Sequence, residues 1–122
     1  RIGKSCESKA RYILEGLGFR STDAGEGYEY DLLIHSHSGV SRVQVKAAGL
    51  DGKNRLQRSS QKKGGHVTKP YGSDAFDVLF LINRDQMSGY LIPAERITTS
   101  DGRMKSWVSH KDVSDLLVEH TS

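Results

Sequence analysis

The sequence predicts an α/β fold in which a central mixed β-sheet is flanked by helices, and three observations carry that prediction. An amphipathic helical pattern opens the chain, an alternating hairpin follows it, and a run that is apolar almost throughout comes after a long polar interval. Helical and strand periods thus succeed one another, as they do where helices pack on a sheet. At 122 residues the chain is long enough for one core and short for two, so a single domain over 1–122 is expected.

The first element is a helix. In GKSCESKARYILEGLGFR the apolar Cys6, Ala10, Ile13, Leu14 and Leu17 recur at helical spacing, and Gly18 stands where a C-terminal cap belongs. Glu7 lies seven residues before Leu14, at the margin of the same stripe. From there it either pairs with Arg11 on the surface or brings a carboxylate towards the sheet. Residues 19–22 give a short strand and 23–27 a turn.

Residues 28–48, YEYDLLIHSHSGVSRVQVKAA, read as a hairpin. With Ser38 and Gly39 as the turn, Leu33 faces Gln44 and Asp31 faces Lys46. Asp31, Leu33, His35, Arg42, Gln44 and Lys46 then share a polar face, and Tyr28, Tyr30, Leu32, Ile34, Val43 and Val45 an apolar one. A slip of one residue would scramble both. On pattern alone, Asp31 and Lys46 form an ordinary cross-strand ion pair worth a few tenths to ~1 kcal/mol.

Positive charge is concentrated beyond this hairpin. The net charge of +3 is modest, but between Asp51 and Asp74 stand Lys53, Arg55, Arg58, Lys62, Lys63 and Lys69, with no acid among them. This stretch, about 52–73, lacks apolar periodicity and is expected to be a long exposed loop with one short helical piece. Phosphate is the natural counter-charge, so these six residues and His66 are expected to contact a nucleic-acid backbone; a merely solvated loop is the plain alternative.

Residues 75–83 (AFDVLFLIN) predict a strand buried on both faces, and 90–92 another, stopped by Pro93. Residues 94–97 form a helical turn and 103–108, with Trp107, an edge strand. Ser109 and Asp112 resemble a capping box opening a terminal helix with Val113, Leu116 and Leu117 on its apolar face. Tyr71 and Phe76 either stack on bases or pack the loop base, while His35 and His37 alternate about the strand. His110 and His120 are expected to be solvated. No apolar run reaches the ~18 residues of a membrane span, and no signal-peptide pattern opens the chain as given. A lone Cys6 excludes an internal disulfide and a cysteine-cluster zinc site. The expected setting is intracellular, cytoplasmic and associated with nucleic acid.

Glu7 within the helix pattern Gly3, Glu7, Leu14, Gly18, then Asp31 in YDLLI, Gln44-Val45-Lys46 in VQVKA, and finally FDVLFLIN and GYLIP occur in that order. Together they resemble the PD-(D/E)xK nuclease superfamily, closely over the first half of the chain and loosely over the second. The chain is most similar to the small group I intron homing endonucleases, in which Gln takes the first place of the (D/E)xK motif. Archaeal Holliday-junction resolvases share the helix Glu and the strand order but show Glu-x-Lys.

The resemblance implies a restriction-endonuclease-like core and a metal-dependent DNA endonuclease, site-specific on double-stranded DNA, using Mg2+ with Mn2+ as a substitute. Cutting both strands with one site per chain implies a homodimer or homotetramer. Asp31 is then the central metal ligand and Glu7 an auxiliary one, with Gln44 offering a neutral amide oxygen and Val45 its backbone carbonyl. Lys46 orients or helps deprotonate the attacking water. Such a site carries one negative charge fewer than the usual pattern, which predicts weaker metal binding before DNA adds its phosphates. Two alternatives stay open: a structure-selective Holliday-junction resolvase or other repair nuclease, and a catalytically inactive DNA-binding module, which would also lose an acid at 44.

Overall fold

A computed structural model describes residues 2–28, 30–62, 65–70 and 74–120. The chain opens with helix α1 (Ile2–Gly16), whose expected stripe is buried at Cys6, Ala10, Ile13 and Leu14, while Leu17, just past the end of the helix, is 37% exposed. Glu7 is half-buried at the margin of that stripe. The helix ends where Gly18 takes φ +96° and the Phe19 N–H reaches back to the Leu14 carbonyl at 3.0 Å, a left-handed exit that glycine makes at least cost.

The described strands are β1 (Arg20–Asp23), β2 (Leu32–Ser36), β3 (Gly39–Ala47), β4 (Lys53–Arg55), β5 (Gln57–Lys62), β6 (Gly65–Pro70), β7 (Val78–Ile82), β8 (Ser88–Pro93), β9 (Trp107–Ser109) and β10 (Leu117–Glu119). Six of them form one mixed sheet in the order β1-β2-β3-β7-β8-β10. Only β3 and β7 run parallel within it. The chain between them enters two ribbons off the sheet, β4 with β9 and β5 with β6.

β7 is apolar throughout because it separates two cores. Phe80 and Ile82 join Leu32, Ile34, Val43 and Val45 beneath α1. Leu79 and Leu81 turn the other way, towards Leu56, Phe76, Ile92, Ile97, Met104 and Val108. Phe76 is 1% exposed, so of its two expected roles it takes packing. Ala94–Ile97 forms the expected helical turn, of 3-10 type. No described helix is long and apolar enough to cross a membrane.

The β2–β3 register differs from the expected one by two residues: Ser36 pairs with Gly39 and Leu33 with Arg42, leaving His37 and Ser38 as the turn. A two-residue turn on Ser38-Gly39 would need Ser38 at positive φ, at a cost of roughly 1–2 kcal/mol for a residue with a Cβ. Instead Gly39 alone adopts it, at +128°. A slip of two preserves every face, so Leu32, Ile34, Val43 and Val45 are buried while His35, Arg42, Gln44 and Lys46 lie half-buried on the other side. Tyr28 and Tyr30 do not join the apolar face. β2 begins only at Leu32, leaving Tyr28 61% exposed and Tyr30 against the second core.

Two further expectations are corrected. The stretch 52–73 is not a loop: it supplies β4 and the β5–β6 hairpin, whose two-sided polar strands carry no apolar period to read. Lys63 and Tyr71 lie outside the described residues. The terminal helix is also replaced. Ser109 Oγ does accept the Asp112 N–H at 3.4 Å, but the segment is a 3-10 helix, His110–Leu116, broken by non-helical Val113. From Leu117 the chain pairs with β8 instead, because the sheet edge offers unpaired backbone groups that outweigh a weakly amphipathic helix.

Candidate active site

The centre of the polar face is the edge of β3 that β2 leaves uncovered. The Asp31 N–H donates to the Val43 carbonyl at 2.8 Å, which shows that Val43, and by alternation Val45, present their backbone groups on the β2 side. Before Leu32 the chain has left the ladder, and no β2 residue pairs with Val45. The Asp31 carboxylate takes that strand's place: the Val45 N–H donates to Asp31 Oδ2 at 2.9 Å. Gln44 turns its amide back along the same edge, its Nε2 at 3.5 Å from the Val45 carbonyl. A carboxylate, an amide and a main-chain carbonyl are thereby gathered at one point of the strand. The expected facing of Asp31 and Lys46 is not part of the β2–β3 ladder, which ends at the Leu32–Val43 pair.

Lys46 lies two residues further along β3 on the same face as Gln44, and burial pushes its ammonium below the usual lysine range. The neutral amine is therefore more accessible than on an exposed lysine. Glu7 lies half-buried on α1. Lys9, half a turn on, donates through Nζ to the carbonyls of Asn83 at 2.7 Å and Arg84 at 3.0 Å. These follow β7, which is parallel to β3, so the N-terminal half of α1 lies over the end of the sheet where β3 carries Lys46.

Several contributors escaped the sequence reading. Arg42 and Asp77 form a two-pronged pair across β3 and β7: Asp77 Oδ2 accepts from the Arg42 backbone N–H at 2.8 Å and from Nε at 3.2 Å, and Oδ1 accepts from Nη2 at 3.2 Å. These bonds hold the Asp77 carboxyl below its ordinary range and raise Arg42. The guanidinium also lies 5.7 Å from the Tyr30 ring centre, beside an open cleft of about 540 Å³ lined by Asp74, Phe76 and Glu95. Arg84 donates through Nε to the Ala48 carbonyl at 3.3 Å, putting a cation at the exit of β3. Asn54, 4% exposed, accepts the Gly49 N–H at 2.7 Å and donates to the Val108 carbonyl at 3.2 Å, which ties the β4–β9 ribbon to the strand bearing Lys46. No spacing rule links positions 42 and 77, so only the parallel pairing of β3 with β7 reveals the first of these.

Among the described residues, His35, His110 and His120 stand apart from this cluster. His35 shares the polar face, but four residues of strand separate it from Asp31, roughly 13 Å, and its Nε2 lies 3.2 Å from Thr22 Oγ1. His110 and His120 are not solvated as expected: they stack on Tyr90 and Tyr12, at 5.0 and 4.2 Å between ring centres, and each buries a ring nitrogen.

Of the basic residues, Lys53 and Arg55 are exposed on β4. Arg58, Lys62, His66 and Lys69 are placed by strand register alone. Arg58 stands directly opposite Lys69, and Gln61 opposite His66, so positions 58, 62 and 69 share one face of the hairpin and position 66 takes the other.

Comparison with curated protein sequences finds no match. Among solved structures, a bacterial homing endonuclease, I-Ssp6803I, is similar, with a TM-score of 0.61 and 21% identity over 76% of this chain and 67% of that one. At that identity the likeness bears on the fold, which is the restriction-endonuclease-like one expected. The model of the PD-(D/E)XK endonuclease family matches residues 3–114, nearly the whole chain, and the protein belongs to that family.

Proposed function

We propose that the chain is a metal-dependent, site-specific endonuclease acting on double-stranded DNA. The observation that carries this reading is the bond from the Val45 N–H to Asp31 Oδ2, which joins the acid of one motif to the Gln-x-Lys strand of the other. The donor set fits Mg2+, a hard cation that binds oxygen, keeps several waters and needs only one or two carboxylates; Mn2+ would substitute. Asp31, the Val45 carbonyl, the Gln44 amide oxygen and Glu7 would hold it. When bound, such an ion neutralises charge on a phosphoryl group and lowers the pKa of its water.

The chain's own residues supply the rest. Asp31 uses one oxygen on Val45 and keeps the other for the ion. Lys46, less strongly protonated than an exposed lysine, accepts or orients the proton of the attacking water and balances charge on the phosphate. In the β5–β6 hairpin the register sets position 58 opposite position 69, and two cations at opposed positions favour a bound anion. A phosphate backbone along that face, met by Arg58, Lys62 and Lys69, with Lys53 and Arg55 on the adjoining ribbon and His66 across the hairpin, supplies it, and Lys63, outside the described residues, is proposed as a further DNA contact. The similar solved structure is that of a homing endonuclease, which supports site-specific cutting over junction resolution. Two copies or four would let one site per chain cut both strands.

A plasmid-nicking assay tests this reading. Cutting is expected with Mg2+ and not without it, and is expected to fall on the order of 10²–10³-fold in Asp31→Ala and in Lys46→Ala. Wild-type rates in both variants would refute the assigned site, and no cutting by the wild type under any divalent metal would identify an inactive binder. A strong preference for four-way junctions over linear duplex would identify a resolvase.

A further inference from the structure

Trp107 takes no part in the candidate active site. It belongs to β9, which pairs with β4 so that Lys53 meets Ser109, Asn54 meets Val108 and Arg55 meets Trp107. Asn54 and Val108 are 4% and 5% exposed. Strand alternation therefore turns Lys53, Arg55 and Trp107 away from the core. Trp107 is left 52% exposed in a chain that buries Phe76 and Phe80 almost completely, while the core position beside it is filled by Val108. The Arg55 guanidinium lies 4.9 Å from the indole ring centre, holding cation and aromatic as one platform.

The location of this platform says what it meets. Leu56, immediately after Arg55, is fully buried and its N–H donates to the Ser106 carbonyl at 2.7 Å, so the ribbon passes without slack into β5. The platform therefore forms the root of the most basic part of the chain, the six cations between Asp51 and Asp74 with no acid among them. Charge complementarity selects a nucleic-acid strand as the occupant. A half-wet indole beside a cation takes the face of a base that has left its stack, since base–aromatic stacking tolerates any base and Arg adds to it.

We propose that Arg55 and Trp107 form a stacking site for an unstacked nucleotide, with Arg55 also meeting the adjoining phosphate. Any distortion of bound DNA would be read there. This rests on the reading of the chain as a DNA-binding nuclease.

Trp107 is the only tryptophan of the chain, so its emission reports on this face alone. The full chain is titrated in Ca2+ with two labelled duplexes, one fully paired and one with a single unpaired nucleotide, and binding is followed by the anisotropy of the DNA label. Expected are quenching of Trp107 by the unpaired-nucleotide duplex, a loss of its affinity of roughly 5- to 100-fold in Trp107→Ala, and recovery of most of it in Trp107→Phe. DNA that binds with unchanged emission and unchanged affinity in Trp107→Ala overturns the proposal while leaving the nuclease reading intact. An equal loss on both duplexes also overturns it, as the contact would then be to backbone. Absence of binding to either duplex by the wild type overturns the proposal and the DNA reading together.

Discussion

Asp31 has two separable functions in this geometry, and a pair of substitutions separates them. As a structural group its Oδ2 satisfies the Val45 N–H at 2.9 Å, at the half-buried edge where β3 loses its strand partner. A hydrogen bond to a charged acceptor contributes about 1.5–3 kcal/mol, and Asp31→Ala removes it and leaves the amide unsatisfied. For a chain of this size each kcal/mol shifts the melting temperature by roughly 3–5 °C, so Asp31→Ala should melt about 5–15 °C lower. Asp31→Asn keeps an oxygen for the Val45 N–H and should melt within a few degrees of wild type. As a chemical group, however, the carboxylate has no substitute: both variants should lose plasmid cleavage on the order of 10²–10³-fold. The measurements are calorimetry in metal-free buffer and nicking in Mg2+. An asparagine variant that cuts at the wild-type rate, or an alanine variant that melts with the wild type, would refute the two-part account.

Gln44→Glu would add a carboxylate beside Asp31 and the Val45 carbonyl. The Mg2+ concentration for half-maximal cutting should fall about tenfold or more, and the metal-free protein should melt lower because two like charges share the site. An unchanged metal requirement would exclude Gln44 from the metal site. Asp77 offers a pH test, since Arg42 holds its folded pKa below the ordinary 3.8. A depressed carboxylate contributes stability that is present above the unfolded pKa and is lost as pH falls through the folded one. Asp77→Asn retains an acceptor for the Arg42 N–H, so its deficit at pH 7 should be only the ion-pair part. Side chains 36% and 44% exposed hold that part to about 1 kcal/mol or less. The two unfolding curves should converge as pH falls through the depressed folded pKa of Asp77, and a deficit that persists in still stronger acid would show that charge is not its origin.

Which face each hairpin residue occupies is legible in local sequence. Period-two alternation segregates Leu32, Ile34, Val43 and Val45 from Arg42, Gln44 and Lys46, and the two-residue shift in register leaves those faces unchanged because side-chain direction depends only on parity. Apolar continuity likewise identified β7 as a strand buried on both sides, and helical spacing set Glu7 at the margin of α1. The nuclease motifs were legible because they reside in such local patterns.

The remaining features depend on partners distant in the chain. The turn moved to His37-Ser38 because Gly39 alone accepts positive φ. The basic stretch became strands through pairing of β4 with β9 and β5 with β6, in residues whose polarity gives no period. The terminal segment left its helix for the edge of β8. Asp31 emerged as the carboxylate standing in for a missing strand, a role that exists only once β2 diverges from β3. Local sequence encodes which way a side chain faces; which groups then meet is set by long-range backbone pairing, which no neighbouring residue specifies.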